Sequence, residues 1–141
     1  MGLGSDGNGS NDIVDALKDV YLTAIWHPWN EEQLPAHTSL AMATREGARA
    51  IGLEDEIGSI AVGKKADLIL VKLDSPRTVP VHDPHYALAF TARGDDVRTT
   101  IVDGQILMED REILAGDEQV ILNEARRRSA EIFSASYHPN A

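Results

Sequence analysis

The residues best placed to do chemistry are an acid set among glycines. Asp6 stands within Gly2-Leu3-Gly4-Ser5-Asp6-Gly7, and Asn8-Gly9-Ser10-Asn11-Asp12 follows at once. Glycines at positions 2, 4, 7 and 9 let the backbone approach a bound ion or ligand closely, and Asp6 is the only acid among residues 1 to 11. Read from residue types alone, Asp6 is either a ligand at the mouth of that turn or the acid of an Asx turn that caps a loop.

The other candidates have plainer readings. The five histidines, His27, His37, His82, His85 and His138, show no His-x-His or His-Glu-x-x-His spacing, and the pattern places them in connectors, a loop and the tail. Trp26 and Trp29 flank His27-Pro28, where packing of a helix end explains them better than an aromatic ligand box. His82-Asp83-Pro84 reads as a helix-capping loop rather than a site wall. Asp67 reads as a structural acid at a strand entrance, Asp103 as a turn former, and Arg126 to Arg128 as a solvated helix face.

These residues must be carried by two kinds of element. Helical periodicity governs the chain up to about residue 57, and β-branched runs with tight turns follow. A first helix is expected from the cap Asp12 through Ile13, Leu17, Val20 and Ala24, with Val14, Tyr21 and Ile25 widening the same face. A polar connector from Trp29 to Pro35 leads to a short helix from Thr38 or Ser39 through Met42. A second piece runs from near Thr44 to Gly52, read as a left-handed cap.

Strands are expected at 59–62 and 67–73, separated by a turn at Gly63-Lys64-Lys65. The apolar run 68–71 predicts a strand covered on both faces. Val97 to Val102, Asp103-Gly104 and Gln105 to Met108 form a hairpin, because Asp-Gly suits the two positive-φ positions of a type I′ turn. Asp83 as cap and Pro84 at the first helical position open a short helix over 85–91. A last helix runs from about Asp117 to Ser134, with Ile121, Ala125 and Ile132 as its stripe.

A chain of 141 residues with 43% hydrophobic content can bury a core as one globular domain. Its 23 acidic and 13 basic residues give a formal charge of −10, which repels a phosphate backbone and argues against nucleic acid as a partner. There are no cysteines, so neither a disulfide framework nor a thiolate zinc site exists, which suits a reducing cytoplasm. No run approaches the roughly 20 apolar residues of a membrane helix, and the expectation is a soluble, cytoplasmic protein without membrane contact.

Several motifs then converge on one family. Gly-Ser-Asp-Gly with Ser10-Asn11-Asp12, Ala43-Thr44 with Gly47-Ala48-Arg49-Ala50-Ile51-Gly52, Ile57-Gly58-Ser59-Ile60 with Gly63-Lys64-Lys65-Ala66-Asp67-Leu68, Val81-His82-Asp83-Pro84, and Asp96-Val97 with Val102-Asp103-Gly104 occur in that order. Together they resemble the C-terminal third of the amidohydrolase superfamily, in the branch of methylthioadenosine and adenosylhomocysteine deaminases, guanine deaminases and triazine chlorohydrolases.

That resemblance implies an α+β chain: the end of the last strand of a metal-dependent (β/α)8 barrel with its following helices in 1–56, part of a composite β-sandwich in 57–116, and a C-terminal helix and tail in 117–141. Catalytic groups of such barrels sit at the C-terminal strand ends. It implies that Asp6 binds a divalent metal, zinc or iron, and moves a proton from the metal's water to a leaving amine. Gly7 and Ser10 fall where family members line the substrate pocket. The implied reaction is hydrolysis of a C–N or C–Cl bond, as in deamination of a purine or triazine, with a small heterocycle as substrate.

The family's remaining metal ligands are histidines upstream of the matching region, and a barrel needs about 250 residues. The chain by itself is therefore expected neither to hold the metal tightly nor to deaminate. It is expected to be a truncated or split gene product, with a free-standing oligomerisation or binding module, or a subunit that completes a separately encoded barrel, as alternatives. Either way its apolar faces should be exposed, or hidden by homo-oligomerisation.

Overall fold

The structure is a computed structural model that describes Leu3 and residues 35–136. The helix expected from Asp12, the Trp26 and Trp29 pair, and His27 and His138 lie outside those residues. Within them the chain is α+β: helices first, a four-stranded sheet next, a long helix last.

Helix α1, Ala36–Ala43, starts two residues before the expected Thr38, because the Pro35 carbonyl already accepts the N–H groups of Thr38 and Ser39 at 2.9 and 3.4 Å. Thr44 ends α1 and opens α2, Arg45–Ala50: its N–H donates to the Ala41 carbonyl, its hydroxyl to the Leu40 carbonyl at 2.8 Å, and its own carbonyl accepts from Ala48. The expected stop at Gly52 is observed. Gly52 has φ +75°, its N–H reaches the Arg49 carbonyl, and the Leu53 N–H reaches Ala48, the paired bonds of a Schellman cap.

Strand β1, Leu68–Val71, pairs antiparallel with β2, Val97–Val102; β2 pairs with β3, Gln105–Glu109, and β3 with β4, Glu112–Ile113, giving the order β1-β2-β3-β4. Asp103 and Gly104 carry φ of 49° and 78°, so the expected primed turn joins β2 to β3. The β3–β4 hairpin was not foreseen. Its turn, Asp110-Arg111, holds two non-glycine residues at φ 46° and 73°, which sequence patterns for such turns do not signal.

Two strand expectations are corrected. Residues 59–62 form no strand; Ile60 and Val62 are 90% and at least fully exposed, because Gly58 and Gly63, at φ +87° and +91°, turn the backbone on either side. Strand β1 is not covered on both faces: it is an edge that pairs only with β2 among the described residues, and Ile69 and Leu70 are half exposed.

After β1, Asp83 caps the turn α3, Pro84–Tyr86, as expected, and the helix then widens into a π-turn over Ala87–Thr91. There the Ala92 N–H bonds the Ala87 carbonyl at 2.8 Å, and the Thr91 hydroxyl donates to the same oxygen at 3.0 Å. Helix α4, Glu118–Ser136, begins beside Asp117, whose carboxylate accepts the Val120 N–H at 3.1 Å. Its stripe residues Ile121 and Ile132 are exposed.

The buried hydrophobic residues among those described are Ala48, in α2, and Ala87, Ala89 and Ala92, in and just after the π-turn; α1 lies between them, contacting α2 and also α3 with the π-turn segment. An alanine core removes little apolar area from water per residue, so it contributes far less than buried Leu or Ile would. No helix of the described residues is long and apolar enough to cross a membrane.

Candidate functional site

Asp6, Gly7 and Ser10 lie outside the described residues. Leu3 lines a groove of about 500 Å3 whose walls are α2 with Ala43 and Thr44, the loop 57–60, and Asp67 to Ile69 at the start of β1.

These walls are built by close packing at Gly58. A Cβ there would meet the Ala48 Cβ at 2.6 Å and the Arg45 Cα at 3.0 Å, so the loop lies directly on α2 and only glycine, already at φ +87°, fits. The Lys64 ammonium ties the same loop by donating to the Glu54 carbonyl and, at 3.2 Å, to that of Ile57. Lys65 pairs with Glu56 at 2.6 Å, and that carboxylate raises the lysine's pKa. The sequence marked Gly58 as part of the Ile57-Gly58-Ser59-Ile60 motif, near the change from helical to strand-like pattern; its contact with Ala48 carries no local signal.

The acids singled out in the sequence do structural work. Asp67 accepts the backbone N–H of Asp103 at 2.7 Å. Asp83 accepts the His85 N–H at 2.8 Å and stands 3.2 Å from His85 Nδ1, and the backbone bond holds its carboxyl below the usual carboxylate range. Asp96 was missed as a structural centre. Largely buried, it takes Arg77 Nη2 on both oxygens at 3.1 and 3.2 Å and the Arg93 N–H at 2.9 Å, while its carbonyl accepts from Lys72.

His37, expected in a connector, is the second residue of α1, and His85 lies in α3, within the helix expected over 85–91; their rings are nearly perpendicular with centroids 6.4 Å apart. His82 lies in the loop before α3, as expected. Among the described residues no group of three or more His, Cys, Asp or Glu could hold a metal ion.

Sequence comparison decides the family. The amidohydrolase family model matches residues 1–107. The chain belongs to that family. A methylthioadenosine/adenosylhomocysteine deaminase of Halobacterium salinarum is 41% identical over 135 residues, 94% of this chain and 31% of the relative. A 5′-deoxyadenosine deaminase of Methanosarcina acetivorans is 41% identical over 133 residues, 92% of this chain and 30% of the relative.

Among solved structures, an adenosine deaminase from Xanthomonas campestris with bound zinc superposes with a TM-score of 0.86 at 31% identity, covering 93% of this chain and 30% of that one. An atrazine chlorohydrolase from Arthrobacter aurescens complexed with zinc gives 0.69 at 31% identity, with 80% and 26% covered. The chain thus spans about a third of the length of the relatives it matches.

Proposed function

We propose that this chain is the C-terminal third of a metal-dependent deaminase that hydrolyses the exocyclic C–N bond of an adenosine-type nucleoside. In this reading residues 1–56 end the barrel, 57–116 belong to the composite sandwich, and 117–141 form the closing helix and tail. The observation that carries it is the 41% identity, across 94% of the chain, to a deaminase of adenine nucleosides. The Gly-Ser-Asp-Gly turn supplies the acid such chemistry needs.

The net change is water in and ammonia out, with C–NH2 becoming C=O. A divalent ion, zinc by analogy with the zinc-bound relatives, would supply Lewis acidity when bound. The Asp6 carboxylate has two roles: it donates an oxygen to the ion, and it carries a proton to the leaving amine nitrogen. Gly7 leaves room for the flat heterocycle to approach the backbone, and the Ser10 hydroxyl contacts the substrate. In this reading the other ligands are the histidines that the family resemblance places upstream of the matching region, so the 141-residue polypeptide alone would be inactive.

The test is a chimera in which this chain replaces the matching third of the Methanosarcina acetivorans deaminase. Release of ammonia from 5′-deoxyadenosine or methylthioadenosine supports the reading. A folded, zinc-loaded chimera inert toward adenine nucleosides and aminated triazines alike would sink it.

A further inference from the structure

We infer that the Asp103-Gly104 turn is a site of spontaneous covalent modification, isomerisation to isoaspartate, and that the Asp67 carboxylate and the Ala66 carbonyl hold the reaction back. The chemistry needs no enzyme and is independent of the function proposed above.

The reaction joins the Gly104 backbone nitrogen to Asp103 Cγ. The proton of that nitrogen and the Cγ hydroxyl leave together as water, which gives a cyclic imide. Water then returns at either imide carbonyl. Opening at one restores aspartate, and opening at the other leaves the chain running through Cγ, so the net change is an isomerisation that consumes no co-reactant. Glycine favours it because no Cβ screens the attacking nitrogen, and the chain has two Asp-Gly pairs, at 6–7 and 103–104. Both residues of the second pair are exposed, so water has access.

Two bonds oppose ring closure. The Gly104 N–H, whose hydrogen must be lost, is donated to the Ala66 carbonyl at 3.1 Å. The Asp103 N–H is donated to the Asp67 carboxylate at 2.7 Å. Bringing the nitrogen onto Cγ turns the peptide unit between the two residues, and the amides on both sides of Asp103 are pinned to the entrance of β1. Closure therefore waits on a local opening of the turn, and its rate scales with the open fraction. The product does not suit the fold: its extra backbone atom lengthens a turn whose two residues sit at φ 49° and 78° and which sets the pairing of β2 with β3.

The test follows isoaspartate at residue 103 in the full chain at neutral pH, by peptide mapping that separates it from Asp6-Gly7 and Asn8-Gly9. Isoaspartate should accumulate at least about tenfold more slowly in the folded parent than in the same chain unfolded in urea. Asp67→Ala, shown to be folded by circular dichroism, should speed it by about five- to thirtyfold, and Asp67→Asn, which keeps an acceptor oxygen, by no more than about threefold. Gly52→Ala controls for destabilisation elsewhere, because it places a Cβ on a left-handed residue after α2. It should leave the rate within about twofold.

Equal rates in the folded and unfolded parent, an unchanged rate in Asp67→Ala, or equal acceleration by Gly52→Ala would each overturn the inference. Amide hydrogen exchange in the parent decides without any variant: Asp103 and Gly104 should be protected by at least about tenfold, and exchange at the unstructured rate would sink it as well.

Discussion

The carboxylate of Asp67 accepts the backbone N–H of Asp103 at 2.7 Å, 36 residues away along the chain. The acid of the Gly-Lys-Lys-Ala-Asp turn and the acid of the Asp-Gly hairpin are thereby one device. Beside that bond the Gly104 N–H reaches the Ala66 carbonyl at 3.1 Å, so the turn between β2 and β3 is fastened to the entrance of β1. Removing the acceptor should be felt as a single charge-assisted hydrogen bond: Asp67→Ala is expected to lower stability by about 1 to 2 kcal/mol, read from the urea midpoint at unchanged slope. A midpoint within error of the parent would show that the bond is replaced by water.

Gly58 and Gly63 separate conformational strain from steric contact. Both sit near φ +90°, but an added Cβ meets Ala48 and Arg45 at Gly58 and nothing within 4 Å at Gly63. Gly63→Ala should cost about 1 to 2 kcal/mol of backbone strain. Gly58→Ala adds overpacking of about 1 to 3 kcal/mol, for a total of about 2 to 5 kcal/mol. Equal losses by thermal or urea unfolding would contradict the packing of the loop on α2.

Much of this was legible because it is local. Gly52 as a left-handed cap, Asp83-Pro84 as a helix start and Asp103-Gly104 as a primed turn each follow from what one or two residues permit the backbone to do. One error arose where the outcome depends on distant partners, the other where flanking glycines override side-chain preference. Leu68 to Val71 reads as a buried strand from its side chains, but its burial is decided by what packs on either face, and Ile69 and Leu70 remain half exposed. Ile60 and Val62 have strand-forming side chains, yet glycines at 58 and 63 set the path. The role proposed for Asp6 rests only on its motif, because a carboxylate among glycines has the same local signature whether it caps a turn or binds a metal.

Helix α4 should respond to acid through one residue. Hydrogen bonds from Arg127 and Arg128 hold the Glu124 carboxyl down at about 2, from an ordinary value of 4.5. A depressed carboxyl stabilises the folded form above its unfolded pKa and loses that contribution as pH falls through the folded one. The Glu124 contribution is therefore complete above about pH 4.5 and fades toward pH 2. Far-ultraviolet circular dichroism should show the parent losing more helix over that window than Glu124→Gln, and less so in high salt. Parallel titration curves would refute it.

Ser39 is fully buried, and its hydroxyl has no hydrogen-bond partner among the described residues. Deleting an unsatisfied polar atom removes a desolvation cost of about 1 to 3 kcal/mol while leaving a small void. Ser39→Ala should accordingly be neutral or raise the thermal midpoint. A loss above about 1 kcal/mol would mean that the hydroxyl bonds a water or backbone group in solution.

The most direct test of the proposed chemistry is Asp6→Asn in the deaminase chimera, with turnover of 5′-deoxyadenosine and zinc content measured on the same folded protein. Loss of a group that both ligates the ion and carries the proton should reduce turnover by about a thousandfold or more, with zinc retention weakened. Turnover within a few-fold of the parent would contradict a catalytic role for Asp6 and leave it the acid of an ordinary turn.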